Sequence, residues 1–316
     1  MTEVIEIHTS DRDTYRRCRR KWDFASPLRR NLEPDPPTNM VNPWLGTGIH
    51  FSLQDYHGYN RFGDPVLALE AYYNAFRQSE RPAGADEAIE LGLGMLEYYR
   101  FWLEVPGRPK YETVWLEGVP QVEIEWRLSL TELVPEFHVA VVYHGTFDRI
   151  VRDSHAGLWV EDYKTTRVMD FNRLALDPQM KAYSWAAEQV YQWPFEGALM
   201  LQMVKDLARP PKPLKTGGFS QNKKQKTTHW LYRQTLMDYY GKIPSSYIDF
   251  LNALAMEETA EGDHFIHLGK IEHNSFVKRN TYNQILQQVR EMLNPDTPLY
   301  PNPTMSCSWD CPFRTV

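Results

Sequence analysis

Asp148, Asp162 and Lys164 fall within one short stretch, GTFDRIVRDSHAGLWVEDYKTT, residues 145–166. Two carboxyl groups set face to face raise each other's proton affinity unless a cation lies between them. A divalent metal ion fills that place, and a neighbouring ammonium group can hold a water or a phosphate oxygen beside it. This is the equipment of metal-assisted hydrolysis. The plainer alternative is a solvated hairpin whose lysine makes a weak surface ion pair.

The positions of these residues depend on strand alternation. In LWVEDYKT, Leu158, Val160, Asp162 and Lys164 point one way, and Trp159, Glu161 and Tyr163 the other. A hairpin turning through SHAG sets Asp148 roughly opposite Asp162. From Val119 the period is two, so VPQVEIEWRLSL, HVAVVYHGTFDRIVRD and LWVEDYKT read as strands. DPQMKAYSWAAEQVYQ returns to helical period, with Asp177 as N-cap and Pro178 at the first helical position. FEGALMLQMV reads as a further buried strand. Upstream, DRDTYRRCRRKWDF reads as a helix with Tyr15, Cys18 and Trp22 on one face. NLEPDPPTNMVNP is a proline-rich turn region, and WLGTGIHFSLQDYHGY opens a mostly helical part reaching about Glu104. A Lys-, Pro- and Gly-rich loop follows the last strand. Helices then run to about Met256 and from Ser275 to Leu293. Strands framed by helices indicate the α/β class.

Composition sets the outer limits. The 316 residues suffice for one large domain or two modest ones, and 42% hydrophobic with 24% charged residues is ordinary for a globular protein. A net charge of -6 argues against nucleic-acid binding by bulk charge alone, though not against a local basic groove beside an acidic site. No apolar run approaches the ~20 residues of a membrane-spanning helix. The N-terminus lacks the layout of a signal peptide. Three cysteines, an odd number, fit a reducing compartment, and the expected location is cytoplasmic.

The hairpin resembles the core of the PD-(D/E)xK nuclease superfamily, in its RecB-like exonuclease branch. That branch includes CRISPR-associated and phage-encoded iron–sulfur exonucleases. Its Gly-x-x-Asp is matched by Gly145–Asp148, its (D/E)-x-K by Asp162-Tyr163-Lys164, and its Gln-x-x-x-Tyr by Gln179 and Tyr183 on one helical face. An upstream Gly-Thr-x-x-His-like motif is matched by Gly46-Thr47-Gly48-Ile49-His50. The resemblance implies a restriction-endonuclease-like core, a mixed sheet flanked by helices, with a helical insertion. It assigns His50, Asp148, Asp162 and the backbone carbonyl of Tyr163 as ligands of Mg²⁺ or Mn²⁺. Lys164 would orient or deprotonate a water or stabilise the transition state, while Gln179 and Tyr183 position the substrate or the lysine. The implied activity is exonucleolytic cleavage of DNA with a single-stranded end, in phage or bacterial recombination, repair or processing.

In the iron–sulfur members one N-terminal cysteine joins three near the C-terminus around a [4Fe–4S] cluster. Cys18 resembles the first site, and Cys307 and Cys311 the next two. A further cysteine is expected a few residues beyond Cys311, yet the sequence given reads only to Val316: either it stops just short of the last ligand, or the cluster is incomplete or lost. Three free thiols, or zinc held by the three and a histidine, are the alternatives.

Basic residues complete the inventory. From Arg12 to Arg30 there are eight Arg or Lys against two Asp, and from Lys205 to Lys226 seven against one. Beside a phosphodiester-cleaving site such runs guide a strand. Lys223, Lys224 and Lys226 are the first candidates for DNA contact, with Arg16, Arg19 and Arg20 next. His264 and His267 are read as packing or surface residues. The expected organisation is one domain over residues 1–316. Its helical part covers about 45–110, its catalytic sheet about 119–204, and its N- and C-terminal segments pack together. The rival readings are a non-catalytic DNA-binding or scaffold subunit, and another metal hydrolase sharing the hairpin.

Overall fold

The strand GALMLQMV is buried along nearly its whole length, which requires cover on both faces of a sheet. In the computed structural model that strand lies inside a seven-stranded mixed sheet, with helices on both sides. The structure describes residues 4–35, 40–58, 63–171, 173–222, 224–304, 307 and 311–314. The chain opens with β1 (Val4–His8), α1 (Thr9–Arg17) and α2 (Arg19–Ala25), then α3 (Val41–His57), α4 (Pro65–Ala75) and α5 (Ala85–Glu104). Strands β2 (Glu112–Thr113), β3 (Trp115–Leu116), β4 (Val119–Pro120), β5 (Val122–Ser129), β6 (Ala140–Arg152) and β7 (Leu158–Thr166) follow. The remainder is α6 (Arg173–Leu176), α7 (Pro178–Tyr191), β8 (Gly197–Val204), α8 (His229–Tyr240), α9 (Ile248–Ala255), β9 (Ile266–Glu272) and α10 (Ser275–Leu293).

Alternation along the strands builds two cores. Val160, Ala198 and Met200 face a core completed by α1, α2, α7 and α10. Trp159, Tyr163, Leu199 and Leu201 face the other, completed by α3, α4 and α5. A smaller cluster under α8 and α9 stands apart from both. The fold is therefore a mixed α/β architecture with a central sheet between helical layers, as expected for a restriction-endonuclease-like core.

Three local differences from the sequence reading have physical reasons. The expected helix through Tyr15, Cys18 and Trp22 is broken: Cys18 is extended (φ -160°, ψ 109°) and its sulfur caps α2 by accepting from the Lys21 N–H. Tyr15 and Trp22 still pack together, with ring centroids 5.3 Å apart. The sheet also extends beyond residues 119–204. β1 pairs in parallel with β6, and β9 pairs antiparallel with β8. Both strands are short, and only tertiary pairing satisfies their backbone groups.

Residues near the two ends of the described chain touch one another. The Arg20 N–H donates to the Tyr300 carbonyl, the Asp35 N–H to that of Pro312, and Phe24 packs edge-on against Phe313.

Candidate active site

The sheet forks where the acids lie. Val142, Tyr143 and His144 pair with β5 on one edge of β6 and with β1 on the other. Arg149 pairs with Val122 of β5 and, across the other edge, with Glu161 of β7. β1 and β7 thus share one edge, and residues 145–148 span the gap between their ladders. α1 starts in this gap at Thr9. A Cβ at Gly145 would lie 2.9 Å from a Trp126 ring carbon and 3.0 Å from the Thr9 methyl, so only glycine fits there. Phe147 and Ile150 lie in the same core although strict alternation would part them, so β6 is re-aimed at Asp148. Opposite, Glu123 holds a left-handed φ of 51°, a conformation unfavourable for a side-chain-bearing residue.

This local irregularity draws together groups from four elements. Asp148, 8% exposed, accepts from the Tyr163 N–H at 2.6 Å, which locks β6 to β7 beside Asp162. His50, on α3, has its Nε2 3.0 Å from the Tyr163 carbonyl oxygen. With the proton on Nε2, the lone pair of Nδ1 is turned toward Asp148 at 3.6 Å and Glu123 at 3.8 Å. His50, Glu123 and Asp148 present ligand atoms all within 4.8 Å of one another. Among the described residues no other trio of metal-capable side chains is as tight.

Asp162, 1% exposed, shares its face with Lys164, whose ammonium lies 2.8 Å from Oδ2 and 3.1 Å from Oδ1. The same ammonium lies 3.3 Å from Gln179 Oε1, and Gln179 Nε2 donates to the Tyr183 hydroxyl at 2.8 Å. Asp177 caps α7 through the Gln179 N–H, and Pro178 starts the helix. The pair at i, i+4 therefore reaches back over the lysine.

Charge in this pocket is unbalanced. Burial, reinforced by Asp162, pushes the Asp148 pKa up to about 7. Burial works against an imidazolium at His50, but Glu123, Asp148 and Asp162 outweigh it and raise its pKa. Burial likewise opposes the Lys164 ammonium, and Asp162 and Asp148 outweigh it, so that pKa is raised too. Three carboxylates face one lysine, and a histidine is being drawn toward protonation. Two carboxylates and one imidazole nitrogen converging at this distance suit a divalent cation, so the residues present fit a metal site.

The sequence reading places Asp148 and His50 in this group but misses Glu123. Its signal was weak, because alternation in VEIEWRLS assigns Glu123 and Glu125 to one solvent face, and only the left-handed turn at 123 brings the first inward. Asp162 lies beside the trio and is engaged by Lys164. The Tyr163 carbonyl, expected as a metal ligand, faces His50. Glu161 takes the other face of the sheet, as alternation requires, and pairs there with Arg149 at 2.9 Å.

The remaining candidates lie outside this group. Cys18, Cys307 and Cys311 line one cavity of about 340 Å³ together with Arg17 and Lys21. Lys226 is ion-paired with Asp206 at 2.7 Å, Lys224 is exposed, and Lys223 lies outside the described residues. Arg19 pairs with Glu291 and Arg20 with Asp23, while Arg16 is exposed on α1. His264 is a surface residue facing Glu257, and His267 packs edge-on against Phe171. No helix among the described residues is long and apolar enough to cross a membrane.

Comparison with known proteins returned no match among curated sequences. A family model, described as the PD-(D/E)XK nuclease superfamily, matches residues 9–316. That span begins with the helix that enters the fork and continues past the acid-bearing hairpin to the last residue, and the chain belongs to the PD-(D/E)XK nuclease superfamily.

Proposed function

We propose that the protein is a metal-dependent deoxyribonuclease of the RecB-like branch that hydrolyses DNA from single-stranded ends. The observation that carries this reading is the convergence of His50, Glu123 and Asp148 beside the Asp162–Lys164 pair, at the gap in the sheet. A Mg²⁺ or Mn²⁺ ion held by His50, Glu123 and Asp148, with Asp162 adjoining, supplies Lewis-acid polarisation of a phosphoryl oxygen.

The chain's own groups do the rest. Lys164 keeps its proton at neutral pH because Asp162 and Asp148 hold its pKa up, so its role is to offset charge on the phosphoryl group and orient a water by donating to it. Asp162 and Gln179 Oε1 fix the ammonium from two sides, and the Tyr183 hydroxyl fixes Gln179. The Tyr163 N–H fixes the Asp148 carboxylate through Oδ2, the same oxygen that lies 3.6 Å from His50 Nδ1. The preference for DNA ends and the setting in phage or bacterial DNA processing follow from the family resemblance, and a cytoplasmic location from the odd cysteine count.

Three thiols around one cavity support a metal cluster there as well. They are one short of the usual four thiolates, so a [4Fe–4S] cluster there needs one ligand more than these three cysteines supply. Iron content and visible absorption of anaerobically purified protein test this, and colourless, iron-free protein rules it out.

The deciding experiment incubates end-labelled linear single strands, linear duplexes and covalently closed circles with the protein in Mg²⁺, Mn²⁺ or EDTA. Stepwise loss of nucleotides from linear single strands, abolished by EDTA, is the expected result. Cleavage of closed circles as fast as linear strands makes it an endonuclease, and no cleavage with either metal removes the catalytic reading.

A further inference from the structure

Between α1 and α10 the surface opens into a cleft of about 680 Å³, and a second hollow of about 230 Å³ continues it, with Arg16 and Gln284 common to both. The second hollow ends at Leu176 and Pro178, next to Gln179, whose side chain touches Lys164. The two hollows form one groove, and at its end Pro178 is the chain neighbour of Gln179.

The groove is cationic in a chain of net charge -6. Arg12, Arg16, Arg19 and Lys181 line it, against one carboxylate, Glu291. That carboxylate is already engaged by Arg19 at 2.6 Å and by the Tyr15 hydroxyl at 2.7 Å. The far wall is carboxamide: Asn280, Asn283, Gln284 and Gln287, all on α10.

Arg12 is the residue that calls for a ligand. It is 3% exposed, yet its Nε donates to Gln288 Oε1 and its Nη1 to the Tyr143 hydroxyl, both neutral. Among the described residues no carboxylate lies within 4.0 Å of it. The charge it feels is that of Asp13, the next residue, which Arg16 and Lys164 share, so this buried guanidinium has little counter-charge of its own, and a planar fork of donors suits a phosphate. Arg12 and Arg16 stand one helical turn apart, about 6 Å along the axis. Such a row of cations suits an extended chain of phosphates better than a lone anion. Exposed Leu176, Phe276 and Tyr300 offer apolar or aromatic faces along the rim, where unpaired bases can rest.

We propose that this groove holds one strand of the nucleic acid on its way to or from the catalytic pocket. Its phosphates lie against Arg12, Arg16 and Lys181, and its bases face the α10 carboxamides. The proposal rests on the nuclease reading above and adds the strand path. Arg12 and Gln288 bridge the two helices beneath the groove, so its floor meets a single backbone rather than a duplex.

The test is fluorescence anisotropy of a labelled single-stranded oligonucleotide, in EDTA, over a range of salt concentrations. Arg16→Gln with Lys181→Gln removes two phosphate contacts. It weakens binding about tenfold near 0.1 M salt and makes the log–log salt slope shallower by about 1.4. Asn280→Lys, a gain that misfolding cannot imitate, tightens binding about threefold and steepens the slope. DNA and RNA strands and a DNA duplex are compared in separate arms, the duplex responding least. Unchanged affinity and slope in both variants overturns the proposal, and so does displacement of the strand by an oligoglutamate peptide as effectively as by unlabelled oligonucleotide. Cleavage of the same strand by the unaltered protein with Mn²⁺ is scored apart. Cleavage without a variant effect on binding removes the groove and keeps the nuclease, whereas a binding effect without cleavage does the reverse.

Discussion

The hairpin of β6 and β7 carries two buried charged groups, one on each face, one residue apart in sequence. On one face Arg149 and Glu161 meet at 2.9 Å, and the guanidinium also donates to Thr113 and to the Tyr111 carbonyl. One cation balances one anion there. On the other face Glu123, Asp148 and Asp162 confront Lys164 and a histidine with a raised pKa. The first arrangement is satisfied by the protein alone. The second is completed only by an added cation. A balanced buried pair holds two strands together, and an unbalanced cluster on the same strands marks a site with work to do.

This contrast fails or sharpens under four measurements, in order of effect. Asp148→Ala lowers the rate of strand cleavage in Mn²⁺ at least about a thousandfold, roughly 4 kcal/mol of barrier, while the urea midpoint changes little, because relief of a crowded carboxyl offsets the lost bond from the Tyr163 N–H. Cleavage at an undiminished rate breaks the catalytic half of the comparison. On the opposite face, Glu161→Gln leaves Arg149 buried without its counter-ion and costs about 3–5 kcal/mol in urea unfolding. A cost below about 1 kcal/mol shows that the pair is not structural.

Metal binding separates the faces in a third way. Mn²⁺ at a hundred times its dissociation constant stabilises the folded protein by about 2.7 kcal/mol, read as a rise in melting temperature. Glu123→Gln diminishes that rise and Glu161→Gln leaves it intact. Equal loss in both variants blurs the distinction.

The smallest effect is in pH. The Asp148 carboxyl is raised from 3.8 to about 7, so between those values the folded protein holds a proton that the unfolded chain has lost. The stability this group contributes is full below its ordinary pKa and disappears as pH rises through about 7. A cation must displace that proton, and one from His50 where the imidazole is protonated, so Mn²⁺ affinity measured by titration calorimetry increases at least about tenfold per pH unit up to about 7 and more gently above. A flat profile over that range removes the burial argument for Asp148.

Several parts of the site were legible in the sequence because they depend on local periodicity. Alternation places Asp162 with Lys164 and sends Glu161 to the other face, and the i, i+4 spacing joins Gln179 to Tyr183. Asp177 and Pro178 announce the start of α7 by their own chemistry. The turn at SHAG sets the register that brings Asp148 to Asp162.

Other parts depend on contacts between distant segments. Glu123 enters the metal-capable trio through a left-handed turn that no pattern of apolar residues signals, and β1 becomes a strand only because β6 offers an edge. Cys18 ends one helix and caps the next, which its place in a continuous helical pattern hides. The groove beside Arg12 exists because α10, almost three hundred residues later, packs against α1. Side-chain period is a property of a few neighbouring residues. The closing of a charge cluster, or the burial of a cation, is decided only when the whole chain has chosen which faces to bring together.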